Sequence, residues 1–94
     1  MGKRRTRIDI IHDILGAIRQ KGGRIKPTHL LYKANLSYQL LAEYLKELED
    51  KELVAEEEVG KKKSVKKEII LTEKGYHFIS QYQKMKEFQE SFGL

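Results

Sequence analysis

ANLSYQLLAEYLKELEDKELV, residues Ala34–Val54, holds a turn, a capped helix and the start of a strand. Asn35-Leu36 predicts a tight turn, and Ser37 stands where an N-cap hydroxyl accepts a hydrogen bond from an orphan backbone N–H. The helix predicted from Ser37 puts Leu41, Tyr44, Leu45 and Leu48 at i, i+3, i+4 and i+7, a stripe that must face a core. Gln39, Ala42, Glu43 and Lys46 share the opposite side, which is left for water or a partner. After Lys51 the period of the pattern falls to two, so helix gives way to strand.

Downstream, LVAEEEVG and VKKEIILT flank GKKKS and predict a hairpin. With that loop, Leu53 faces Leu71, Ala55 faces Ile69, Glu57 faces Lys67 and Glu58 faces Lys66, with Glu56 opposite Glu68 as the one unfavourable pair. Lys61, Lys62 and Lys63 at the tip are left without neutralising partners. Thr72 with Glu73 to Gly75 reads as a cap and first turn, from which a last helix runs to about Phe92 and carries Phe78, Ile79, Tyr82, Met85, Phe88 and Phe92. Upstream, Ile8, Ile11, Leu15 and Ile18 repeat at helical spacing from Arg7 to Gln20, with Ile10, Ile14 and Ala17 widening the stripe until KGG stops it. RIK is long enough only for a bridging strand. Pro27 suits the first turn of a short helix, PTHLLYKA, that buries Leu30 and Leu31 and ends at Asn35.

The 94 residues make one domain, 1–94, with a modest core, and only residues 1–6 read as a loose basic tail. Cysteine is absent, so neither disulfides nor thiolate metal sites hold the fold. No apolar run approaches a membrane span or a signal peptide, which points to a cytoplasmic protein. The net charge is +5, but it is segregated: Met1 to Asn35 carries nine Lys/Arg against two Asp, whereas Glu43 to Glu58 carries eight acids against two Lys. Such polarity suits an anionic partner on one face.

The element order α-β-α-α-β-β-α, mainly α with a small β-hairpin (α+β), is the layout of a winged helix-turn-helix. The chain also resembles the archaeal winged-helix proteins related to the small dimeric ten-kilodalton DNA-binding proteins. The resemblance lies in IDIIHDIL, KPTHLLYKANLSYQLLAEYLKELEDKELV, LTEKGYHFI and the closing SFGL, which together cover most of the chain. HLLYKANLSY is fairly specific to that group, whereas LTEKG after a hairpin occurs in many winged-helix families. The resemblance implies a DNA-binding regulator or chromatin-like protein that dimerises through its last helix, residues 73–92. VGKKKSVKKE departs from it in its lysine density.

An α-helix fits the major groove with its N-terminal residues at base edges, while the preceding helix braces it across the backbone. In that docking the helix 37–50 presents Ser37, Tyr38 and Gln39 first and Glu43 and Lys46 further along, and the bracing helix brings Thr28 and His29. Gln39 can pair bidentately with adenine. Lys61, Lys62 and Lys63, in a wing over 60–67, are point charges suited to phosphates, and Arg4, Arg5 and Arg7 extend the footprint or reach a minor groove. Duller roles stand beside these: Ser37 as cap alone, Tyr38 as cover for the core edge, the lysines as a solvated turn. Glu43 disfavours DNA unless it accepts from cytosine N4.

Phe78, Tyr82, Met85, Gln89 and Phe92 follow the alternating spacing of a two-helix seam, with Gln89 its one polar member, and predict a homodimer. The alternative is a last helix that folds back so that Phe88 and Phe92 close the monomer core. His12, His29 and His77 sit in three helices without a second ligand at i+3 or i+4, and KGG is no phosphate-binding loop, so neither an enzyme nor a bound cofactor or metal is expected. A protein-interaction module contacting partners through the acidic segment, or a DNA-compacting protein without a preferred site, are the competing functions.

Overall fold

A computed structural model describes residues 5–60 and 66–94. Helix α1, Arg7–Gln20, starts at a capping box: the Asp9 N–H donates to Thr6 Oγ1 and the Thr6 N–H donates to Asp9 Oδ2, both at 3.2 Å. Strand β1 is Arg24–Ile25. Helix α2, Pro27–Ala34, begins on proline, whose missing N–H costs nothing in a first turn, and ends at Asn35 in the left-handed region with φ of 55°. Helix α3, Tyr38–Asp50, is capped by Ser37, whose Oγ accepts from the Leu40 N–H at 3.2 Å. Strands β2, Val54–Val59, and β3, Lys66–Leu71, precede helix α4, Glu73–Ser91, capped by Thr72.

The most deeply buried side chains are Ile14, Leu15 and Ile18 of α1 with Leu30, Leu48, Ile69 and Ile79, so α1 is the spine against which α2, the sheet and α4 close, while α3 packs chiefly on β2. Tyr44 and Leu45 of α3 pack half-buried on that core. Ile8, expected on the buried stripe, is instead 43% exposed. The first turn of α1 projects past the core, and there Asp9 faces α4: the Tyr82 hydroxyl donates to Asp9 Oδ1 at 2.5 Å and Lys86 Nζ lies 3.8 Å away. That hydrogen bond, the largest influence on both groups, holds the Asp9 carboxyl down to about 2 and pushes the Tyr82 phenol up to about 12. The His12 ring stacks on Tyr82 with centroids 3.9 Å apart, and burial lowers its pKa.

The sheet is antiparallel in the order β1-β3-β2, and its register is one residue from the expected one: Val54 pairs with Leu71, Ala55 with Ile70, Glu57 with Glu68 and Glu58 with Lys67. Since side chains alternate faces, the slip exchanges the two faces of β2. Leu53 is withheld from the ladder because it closes α3, its N–H donating to the Leu48 carbonyl and its own carbonyl accepting from the Thr72 N–H. The like-charged pair this register creates is relieved from a third strand: Arg24, opposite Ile70 on the outer face, reaches both Glu57 and Glu68 at 2.9 Å. A two-strand pairing pattern contains no such cation, so it favours the wrong slip.

The foot of the hairpin and the start of α4 are locked together. Thr72 Oγ1 lies within donating distance of the Glu52 and Leu53 carbonyls, at 2.7 and 2.9 Å, and accepts from the Gly75 N–H. Gly75 is pressed onto that foot: a Cβ there would lie 2.5 Å from Leu71 Cδ1 and closer still to the Leu53 carbonyl oxygen. Beyond its contacts with α1 the last helix continues outward, and the molecule measures 55 × 29 × 22 Å.

Candidate nucleic-acid interface

Because Leu41 and Leu48 are buried, the opposite side of α3 is turned to solvent, and Ser37, Tyr38, Gln39, Glu43 and Lys46 are all exposed there. Tyr38, at 78% exposure, covers no core edge. Ser37 spends one lone pair on its cap and keeps a hydroxyl proton for a further partner. Further along, Glu43 and Asp50 make the same side acidic, so only the N-terminal half of α3 is suited to a polyanion.

On α2, Thr28 is exposed beside α3 and His29 is half-buried on the other flank. The pKa of His29 is lowered, first by burial and then by the charges of Lys21, Lys33 and Lys26. Those three lysines form a basic corner with His29: Lys26 and Lys33 share its face of α2 at helical spacing, and the turn at Gly22 and Gly23 adds Lys21 from the end of α1. That spacing and the basic excess of the first 35 residues were the signals in the sequence.

Arg5 and Arg7 are committed within the chain. Arg5 donates to Asp13 Oδ2 at 2.8 Å and to the Ala34 carbonyl at 3.3 Å. Arg7 pairs with Glu47 and stands over the Tyr44 ring, 5.7 Å from its centroid. Arg4 and the tip lysines Lys61, Lys62 and Lys63 lie outside the described residues.

Of the expected seam on α4, Phe78 and Tyr82 are half-buried against their own domain and Gln89 is partly covered. Met85 and Phe92 are exposed, and so is Phe88, whose ring meets that of Phe92 at a tilt of 46° with centroids 4.9 Å apart. Neither phenylalanine closes the monomer core. Among the described residues no group of three or more His, Asp or Glu is placed to hold a metal ion, and no helix is long and apolar enough to cross a membrane.

A bracing helix, a turn, an exposed helix and a hairpin beside it, in that spatial order, are the parts of one known module, and residues 4–90 match the family model described as winged helix-turn-helix. This chain belongs to that family. Solved structures share the winged helix-turn-helix architecture over most of its length. Sso10a-2, a DNA-binding protein from Sulfolobus solfataricus, superposes with a TM-score of 0.76 at 20% identity, covering 94% of this chain and 85% of that one. YodB from B. subtilis, in its diamide-treated form, gives 0.71 at 30% identity, covering 97% and 83%. MepR of Staphylococcus aureus, a transcription regulator of the multidrug efflux pump MepA, gives 0.69 at 18% identity, covering 88% and 60%. No curated protein sequence is significantly similar to this winged helix-turn-helix chain.

Proposed function

We propose that the protein binds double-stranded DNA as a sequence-preferring transcription regulator, with the first turns of α3 in the major groove and α2 across the backbone. The observation that carries this reading is the exposed first turn of α3. Tyr38 and Gln39 are both exposed, make no hydrogen bond through their side chains among the described residues, and sit where a docked helix meets base edges. Thr28, His29 and the neighbouring Lys21, Lys26 and Lys33 supply a phosphate-binding shoulder, and Lys61, Lys62 and Lys63 supply the wing contact. A homodimer built on α4 would present two such helices to two half-sites.

Titration of selected and random duplexes at two salt concentrations tests this. Gln39→Ala is expected to relax preference at one base position at a cost of about 1–3 kcal/mol while leaving the fold intact. An equal loss on every duplex would make Gln39 a phosphate contact instead. Replacing Lys61, Lys62 and Lys63 together by Ala should weaken all duplexes alike and flatten the slope of log affinity against log salt by up to about three units. An unchanged slope removes the wing from the interface.

A second reading, DNA compaction without a preferred site, is favoured by Glu43 and Asp50. These exposed acids repel phosphates if α3 enters the groove along its length, and a shallow docking reads fewer bases. Equal affinity for selected and random duplexes would establish it.

A further inference from the structure

A groove between α2, α3 and the sheet opens over the core at Leu41 and Ile69 and meets the proposed DNA contact only at its rim, where Thr28 and Tyr38 stand. It encloses about 290 Å³, at the lower end of the range for small-ligand sites, and is walled by Leu31, Ala42, Leu45 and Ile69. At its far end stand two carboxyl groups, Glu49 from α3 and Glu56 from β2. The Glu49 pKa is raised, first by burial and then by hydrogen bonding to Glu56, with Asp50 adding to the negative field and Lys67 opposing it. Glu49 and Glu56 line the same groove and turn two carboxyl groups toward one place, so an incoming cation relieves the negative field there. Lys67 compensates only weakly: its Nζ is 3.9 Å from Glu56 Oε2 and both side chains are substantially exposed. Lys46 lines the rim. Tyr38 also borders the groove, but at 1.5 Å of rise per residue it lies about 16 Å along the helix from Glu49, so a one-ring ligand reaches the carboxyl end alone.

We propose that this groove binds a small flat organic cation, an aromatic ring carrying an alkylammonium group, with the ring between Leu45 and Ile69 and the ammonium on Glu49 and Glu56. The charge of the site selects the ligand: an apolar slot closed by a carboxyl pair accepts an ammonium and rejects a carboxylate of the same shape.

Tryptamine, its neutral analogue tryptophol and its anionic counterpart indole-3-propionate share a ring and differ at the chain end. Titrated into the free ¹⁵N-labelled protein, tryptamine is expected to shift the amides of Leu31, Ala42, Leu45 and Ile69 saturably, with an affinity at least about tenfold above that of tryptophol, one charge-assisted contact's worth. Glu49→Gln with Glu56→Gln should bring tryptamine down to the level of tryptophol. Ala42→Phe, which fills the slot from its exposed rim, should abolish binding by all three, and a dispersed spectrum confirms that either variant is folded. Equal binding of tryptamine and tryptophol, tighter binding of indole-3-propionate through Lys46 and Lys67, saturable shifts elsewhere, or no saturable shift at all would overturn the assignment. All readouts are on the free protein, so the outcome does not depend on duplex binding.

Discussion

At micromolar concentration the unaltered chain is expected to sediment as a dimer, and a Phe88→Glu, Phe92→Glu variant as a folded 11.0 kDa monomer. Met85, Phe88 and Phe92 lie on one side of the outer half of α4, with the two phenylalanines 62% and 67% exposed and Leu94 beyond them 83% exposed. So large an apolar strip on a small domain is a docking surface in want of a partner. Two rings from each of two chains, at about 1.5–3 kcal/mol per buried side chain, supply roughly 6–12 kcal/mol. That is the same range as the freedom lost on association, so the rings decide whether a dimer forms. Facing glutamates in their place remove that term and add repulsion. The fold should not suffer, because neither side chain belongs to the core. An unaltered chain that sediments as a monomer, or a variant that stays dimeric, ends the idea of an α4 seam.

Gly75→Ala and Gly16→Ala should change stability in opposite directions. Both glycines are helical, so alanine gains up to about 1 kcal/mol of helix propensity at either site. At Gly16 nothing lies within 4 Å of the added carbon, and the gain is kept: the melting temperature rises by about 4 °C or somewhat more. At Gly75 the carbon meets the Leu53 carbonyl and Leu71 Cδ1, and the carbonyl is backbone that cannot swing aside. Overpacking of that kind costs about 3 kcal/mol, outweighs the propensity and leaves a net loss of about 2 kcal/mol, or roughly 8–16 °C for a domain of this size. Thermal unfolding of the two variants side by side decides it. If Gly75→Ala melts at or above the unaltered chain, the close approach of α4 to the hairpin foot is not structural.

Local chemistry explains why the helices could be placed from the sequence to within a residue. Ser37 and Thr72 are caps, Pro27 opens a first turn and Asn35 closes a helix in the left-handed region, and each acts within a few residues of itself, whereas Thr6, read as part of a loose tail, proves to cap α1. Strand register is different, because it depends on Arg24, which lies 33 and 44 residues from the two carboxylates it bridges. Ile8 failed for a related reason, since periodicity identifies a stripe but not where the neighbouring elements stop covering it. For the site, exposure of Gln39 followed from the apolar stripe, whereas Tyr38, three residues before Leu41, could as well have covered the core edge and is exposed because it opens the helix. The lysine corner around His29 was legible only in part: Lys26 and Lys33 flank His29 at helical spacing, but Lys21 joins them only after the chain reverses at Gly22 and Gly23. Phe78 and Tyr82 fit a seam by spacing, and their engagement with the domain was hidden because Asp9 and His12, the partners of Tyr82, are far away in sequence.

The union of the hairpin foot with α4 makes the last helix a lever with a stiff root. Thr72 and Gly75 clamp it to the sheet, and about two turns later Tyr82 bolts it to α1 through Asp9 and His12. Torque applied at the far end therefore passes into the sheet as a whole instead of being absorbed by a soft joint. In a dimer joined at those far ends, the separation of the two α3 helices becomes a machined length, and a duplex whose half-sites depart from it must itself bend or twist to be bound.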